Sequence, residues 1–476
     1  MKKLIYLSFG LFLFASCTKD ITSLNAETKR PANVPPGTLF SNATRTISST
    51  LASASVNLNV FRFINKHWAM VTYQLEVQYD FATRSIPNGW WNTYYRDVLI
   101  DLKKSSELIS ADGSMPAGEK ANKLAINDAL MVYSYSILVN TFGNVPYTEA
   151  LDAAILFPKY DDAKVITTDL IKRLTADISK MSTTSAGFTS TEDLLNKGNM
   201  SKWIKFGNTL LMKIGMTIAD VDNTAAKAAV EAANAGAISS AADNSSFVYL
   251  TGSPSQNPLF VDIVTGGRGD YVAGKDLIDT MANFADPRLG KFFGTNSGGI
   301  YKGGTSGTVN SPQSVFSQPG AKVIAADAPN IFLDYVETEF YRAEAVERGY
   351  SVTGTAAEHY NNAITASILY WGGTAAEATT YLANPLVNYA TAAGTWKQKI
   401  GTQKWIALFN RPFDGWVELR RLDFPKLTLP VGAKSGFPNR LTYPNTEPTT
   451  NGTNYTAAAS AVGGDKVETK LFWDKF

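Results

Sequence analysis

The chain has 476 residues, 44 of them basic and 42 acidic, and 12% are aromatic, with 21 Tyr and 9 Trp. A net charge of +2 without a basic cluster argues against a nucleic-acid surface and against a polybasic membrane footprint. One cysteine and two histidines, His67 and His359, leave no means for a disulfide, a cysteine-ligated metal or an ordinary zinc site.

The N-terminus reads MKKLIYLSFGLFLFAS. Lys2 and Lys3 precede an apolar run from Leu4 to Phe14, and small residues Ala15 and Ser16 follow, which is the layout of a secretory signal peptide over 1–16. The run is too short to span a bilayer, and no later apolar run reaches ~18 residues. Cys17, the lone cysteine, then reads as the lipidated residue of a lipobox, with Phe14 where leucine is more usual. Several acyl chains anchor far more firmly than one, at ~0.8 kcal/mol per buried methylene. Residues 17–45 are polar and carry Pro31, Pro35 and Pro36, so they are expected to form a lipidated tether or an extended wrap.

From there the period is helical. Trp91, Tyr95, Val98, Leu102 and Ile109 share one face, and Leu124, Met131, Tyr135, Leu138 and Phe142 share another. The turn-rich SADGSMPAG between them makes a helix pair. Ile166, Leu170, Leu174, Ile178 and Met181 mark a third helix, and a fourth is expected over about 203–219. Near the C-terminus Phe332, Val336, Phe340 and Ala343 are expected to line one helix. Thr355 and Glu358 form a capping box ahead of the stripe Ala356, Tyr360, Ile364 and Ile368. Thr374 and Glu377 cap the next helix after Gly372 and Gly373, and Pro412 suits the first turn of a helix holding Trp416 and Leu419. Paired helices of this length suggest tetratricopeptide-like units. Residues 240–330 differ: glycine-rich loops and short strands are expected, inserted into the helical frame.

Motifs with catalytic meaning are weak. RGD at 268–270 reads as a chance match, and VTGGRG lacks the lysine–serine pair of a phosphate loop. The acid pairs Asp161–Asp162 and Glu337–Glu339 read as solvated helix starts rather than a glycosidase pair. His67 and His359 read as packing or surface residues. TFGNVPYTEA (141–150) places Gly143 as a helix cap and Pro146 as a stop. The tail KLFWDKF reads as an aromatic segment docked on the body.

Taken together, FASC, WWNTYYRDVLIDL (90–102), TFGNVPYTEA, DYVETEFYRAEAVERGY (334–350) and KWIALFNRPFDGWVELRRLDFP (404–425) resemble the SusD/RagB family of outer-membrane nutrient-binding lipoproteins, in its SusD-like group. The resemblance implies a mainly α fold of tetratricopeptide-like helix pairs with an irregular, loop-rich half, forming one binding domain over 17–476. It implies a protein held on the outer face of the outer membrane that captures glycans, or in some members peptides, for a SusC-like TonB-dependent transporter. It implies no catalytic group, no metal and no cofactor. The acids that often follow the lipidated cysteine are reduced here to Asp20 beside Lys19. A surface glycosidase and a purely structural helical scaffold remain the alternatives.

Sugars bind by stacking on aromatic faces while amides and charged groups take their hydroxyls. Aromatic residues in polar loops are therefore the candidate ligand contacts. ATRSIPNGWW offers Arg84, Asn88 and Trp90, and the glycine loops offer Tyr301 and Phe316. Trp91 fits the buried stripe of its helix and is expected in the core.

Overall fold

The computed structural model describes residues 34–81, 83 and 85–475. Cys17 and the proposed signal peptide lie outside the described residues, as does Arg84.

The first described helix, α1 (Pro36–Ala52), corrects the expected tether. Phe40, Ala43, Ile47 and Leu51 form a buried stripe at helical spacing, so residues 36–45 belong to the folded body. The polar residues between them are accommodated locally. Thr44 donates to the Phe40 carbonyl at 2.9 Å, and Ser48 bonds the Tyr249 hydroxyl at 2.8 Å.

Strand β1 (Trp68–Met70) is followed by α2 (Ile86–Asn92), which runs through a π-helical turn (Thr93–Leu99) into α3 (Ile100–Ala111). Next come α4 (Ala117–Phe142), the short strands β2 (Val145–Pro146) and β3 (Tyr160–Asp161), α5 (Ala163–Lys180), α6 (Met200–Thr217) and α7 (Asn223–Asn234). Consecutive helices pack as pairs, α3 on α4, α4 on α5 and α6 on α7. Asp162, Asn199 and Asp222 cap α5, α6 and α7 by accepting from backbone amides of the first turn.

The segment from about 240 holds β4 (Ser245–Phe247), β5 (Tyr271–Ala273), α8 (Lys275–Asn283) and β6 (Asn330–Leu333) between loops. Antiparallel pairing of Ala69 with Val272 ties it to β1, Ser245 opposes Leu333 within it, and Val145 opposes Asp161 in the separate β2–β3 pair. Phe332 therefore sits in β6, and the helix α9 begins only at Tyr335, after its cap Asp334. Then follow α9 (Tyr335–Glu347), α10 (Ala356–Tyr370), α11 (Ala375–Ala383), α12 (Trp396–Ala407), α13 (Pro412–Leu422) and α14 (Gly452–Ala461). Both capping boxes form, and Pro412 stands in the first turn of α13.

Glu337 is not the solvated helix start expected of it. It is fully buried, and a band of paired charges runs beside it between α6, α9 and α13. Lys213 lies 2.9 Å from Glu337 and 2.5 Å from Asp414; Arg411 reaches Asp334, Glu337 and Asp414; Arg421 joins Glu344 to Glu418. Glu339 is committed to Arg342 and to His359, whose Nδ1 lies 2.8 Å away. Burial lowers the pKa of His67 to about 3, so it is neutral, with Nε2 3.1 Å from the Trp405 carbonyl. Arg268 and Asp270 of the RGD triplet pair with each other at 2.7 Å. Leu471 and Trp473 of the tail are buried. Among the described residues no helix is long and apolar enough to cross a membrane, and no cluster of three or more metal-ligating side chains occurs.

Candidate functional site

TFGNVPY ends α4 and turns the chain into β2. Gly143 has φ +85°, and a side chain there would press on Leu471 and Val462. Asn144 accepts from the Ala163 amide at 2.9 Å, which holds the start of α5 against the turn. The pairing of β2 with β3 then brings Pro146 beside Tyr160, next to the N-terminal end of the π-turned helix.

An open cleft of about 360 Å³ results. The volume is at the small end of the roughly 300–1,000 Å³ typical of ligand sites. Trp91 and Tyr95 form one wall, Pro146, Ala150, Leu151, Leu156 and Pro158 another, and Glu447 with Asn451 a third. Trp91 stands 4.8 Å from Tyr95 and 5.9 Å from Tyr160 between ring centres. Tyr160 in turn packs edge-on against Tyr443 at 5.2 Å.

The hydroxyls behind these rings are already engaged. Tyr95 donates to the Pro146 carbonyl at 2.6 Å, and Tyr160 donates to Glu447. Burial raises the pKa of both phenols far above the ordinary value, so both stay neutral. Asn451 donates to the Pro158 carbonyl at 2.8 Å and Lys103 to the Leu151 carbonyl at 2.6 Å, so the outer loop is tied down from both sides. The cleft is thus a preset aromatic and aliphatic surface. Arg96, 72% exposed at its side chain and paired with Asp97, and Glu447 supply charge at its rim. Leu156 and Phe157 project beside it, 77% and 63% exposed. Such a surface suits a ligand with apolar ring faces and hydroxyl edges.

A family profile described as "Starch-binding associating with outer membrane", SusD-like, matches residues 28–444. The chain belongs to the SusD-like family. Solved structures of SusD-like proteins share its fold. A chitin-binding SusD homologue from Flavobacterium johnsoniae superposes with a TM-score of 0.79 at 22% identity, over 92% of this chain and 98% of its own. A SusD homologue from Bacteroides uniformis gives 0.77 at 23%, over 92% and 99%. One from Bacteroides fragilis gives 0.77 at 22%, over 93% and 100%. No curated protein matches the sequence. The mainly α architecture of helix pairs with a loop-rich half is that of the SusD-like fold.

Within this SusD-like frame the residues expected to bind ligand divide. Trp90 does not serve: it has no exposed surface, is packed between Phe61 and Phe413, and donates from Nε1 to Thr141 at 3.2 Å. Its neighbour Trp91 is in the core as expected, 8% exposed, and the edge it leaves open lines the cleft. Asn88 does not line the cleft. Its amide donates to Asn445 Oδ1 at 2.8 Å and its oxygen accepts from the Asn445 amide, two residues before Glu447. Tyr301 and Phe316 lie elsewhere, side by side through the pairing of Lys302 with Ser317. Phe316 is half-buried against Ala69, Val71 and Val272 with Lys302 over its ring, and Tyr301 is 38% exposed. Neither borders the Trp91 cleft. Sequence reasoning missed Tyr95, Glu447 and Asn451. Only the spacing of Tyr95 four residues after Trp91 signalled any of them.

Proposed function

We propose that the chain is a non-catalytic capture protein that binds oligosaccharides at the Trp91 cleft and hands them to a SusC-like TonB-dependent transporter. In this reading Cys17 carries the lipid anchor, and the protein sits on the outer face of the outer membrane. The observation that carries the proposal is the cleft itself: Trp91 and Tyr95, tilted against each other in one wall of an open cleft, with charge and amide groups at the edge. The family description, starch-binding and associating with the outer membrane, supports the class of ligand and the compartment. Relatives described as chitin-binding support an N-acetylated or neutral glycan. Glycosidases work with a pair of carboxyl groups across the bond they cut. Glu447 is the carboxylate lining this cleft, and it is hydrogen-bonded to Tyr160.

Titration calorimetry of the full chain with maltohexaose and with N-acetylated chitohexaose tests the ligand class. Saturable heat that is lost in Trp91→Ala supports the site. Absence of heat with both sugars, or heat indifferent to Trp91, removes it. Recovery of a TonB-dependent barrel with the acylated protein after mild detergent extraction tests the partner, and recovery of the protein alone argues against it.

A further inference from the structure

A second and larger cleft, about 760 Å³, lies between the 239–246 segment, the start of α9 and the outer face of α10. It shares no lining residue with the Trp91 cleft. Helix α10 explains its shape. The inner stripe, Tyr360, Ile364 and Ile368, is buried in the packing against α9. Asn362, Thr365, Ala366 and Leu369 recur at helical-face spacing on the other side and form the cleft wall, with Leu369 47% exposed. Tyr335 and Tyr370, both half-buried, also line it.

The polar groups here differ from those of the first cleft. There the phenols are spent on protein acceptors. Here the hydroxyls of Tyr335, Tyr370, Thr365 and Ser246 and the ammonium of Lys202 have no hydrogen-bond or ion-pair partner among the described residues. Asn244 is spent, accepting from the Tyr335 amide at 2.9 Å, and it fixes that end of the cleft. Tyr335 and Tyr370, the latter with Lys322 over its ring at 4.9 Å, add aromatic surface to a wall of unengaged hydroxyls, and that combination is the chemistry that recognises a sugar: faces for ring carbons, and hydroxyls for hydroxyls.

We propose that this cleft is a second oligosaccharide site. The inference rests on the reading of the chain as a glycan-binding protein. Two sites on one chain would engage a polysaccharide by two points, so that the second contact forms at the high effective concentration set by the first.

Hydrogen–deuterium exchange of the full chain in detergent, with and without saturating chitohexaose or maltohexaose, separates the possibilities. Slowed exchange at 239–246 and 362–370 is expected, together with slowed exchange at 91–100 and 446–451. Thr365→Trp, which fills the wall without removing a packed side chain, should abolish the first effect, spare the second and reduce the sugar bound from two per chain to one. Protection only around Trp91 overturns the second site and leaves the capture reading standing. Protection only at 362–370 upholds the second site and removes the first. No protection with either sugar overturns both, as does an unchanged stoichiometry in Thr365→Trp for the second site alone.

Discussion

Trp90 and Trp91 are consecutive in the chain and point roughly 100° apart around one helix, into different neighbours of the same core. Trp90 is sealed against Phe61 and Phe413, while Trp91 lies against Tyr95 and opens onto the cleft. Truncation of Trp90 should therefore cost stability alone, and truncation of Trp91, whose ring is also largely buried, should cost stability and binding together. Trp90→Ala is expected to cost about 3–5 kcal/mol of unfolding free energy, as for other large core aromatics, and to leave sugar affinity unchanged in the folded fraction. Trp91→Ala is expected to weaken oligosaccharide binding by about 2 kcal/mol, roughly 30-fold. Chemical denaturation and calorimetry on both variants check the pair. Equal losses of affinity would sink the assignment.

Trp91 lies in the buried stripe where its spacing put it, at 8% exposure; the expectation that fails is Trp90 as a loop residue. The Pro-Asn-Gly run before Trp90 reads as a loop, but α2 already starts at Ile86 with Pro87 in its first turn, so Trp90 is a helical residue turned into the core. The carboxylate at the cleft, Glu447, lies more than 350 positions along the chain from Trp91, so no local pattern joins them. Helix α1 was hidden for another reason. Its stripe of Phe40, Ala43, Ile47 and Leu51 is thin and set among Ser, Thr and Asn, and the prolines before it read as a tether. Local chemistry was legible where it was self-contained. Thr355 with Glu358, Thr374 with Glu377, and Pro412 each satisfy their helix start from within a few residues, and each stands where the sequence placed it.

Glu344 is held by two guanidinium groups in the buried band. Arg421 lies 2.5 Å away and Arg348 2.8 Å. Burial alone would push its pKa upward, but the charges of Arg421 and Arg348 outweigh it and hold the carboxyl at about 2. A carboxyl depressed from an unfolded value near ~4.3 contributes stability above that pH and loses it as the pH falls towards 2. The contribution is about 3 kcal/mol. Glu344→Gln should cost about 3–5 kcal/mol at neutral pH, because both cations are left under-compensated. It should also flatten the acid limb of the stability curve. A denaturation midpoint unchanged at pH 7 would show the band to be dispensable.

Asp177 behaves in the opposite sense. Burial, a hydrogen bond with Asp128 and the charge of Asp128 push it up to about 8, while Lys180 at 3.8 Å works the other way. Asp128 is kept ionised by Arg173 and sits below its ordinary value. The folded protein thus keeps a proton on Asp177 that the unfolded chain releases near ~3.9. Its contribution to stability is complete below that pH and is lost as the pH rises towards 8. Asp177→Asn copies the protonated form. The variant should match the wild type near pH 4 and exceed it in stability at pH 9. Parallel curves across that range would contradict the shared proton.

Asn88 sits one step back from the cleft. Its side chain makes two hydrogen bonds to Asn445, and Asn445 also donates to the Ser85 hydroxyl at 2.9 Å. Together these contacts fix the chain just ahead of Glu447, whose carboxylate accepts from Tyr160 at the cleft edge. Asn88→Ala removes both hydrogen bonds at a half-buried site, with a net cost of about 1–2 kcal/mol. The cost should appear as looser positioning of residues 445–451 rather than as a lost ligand contact. Affinity should therefore fall by less than in Trp91→Ala, and exchange at the amides of 445–451 should quicken even without sugar. If Asn88 touched the ligand directly, affinity would fall while exchange in the free protein stayed the same, and that outcome would return Asn88 to the list of contacts.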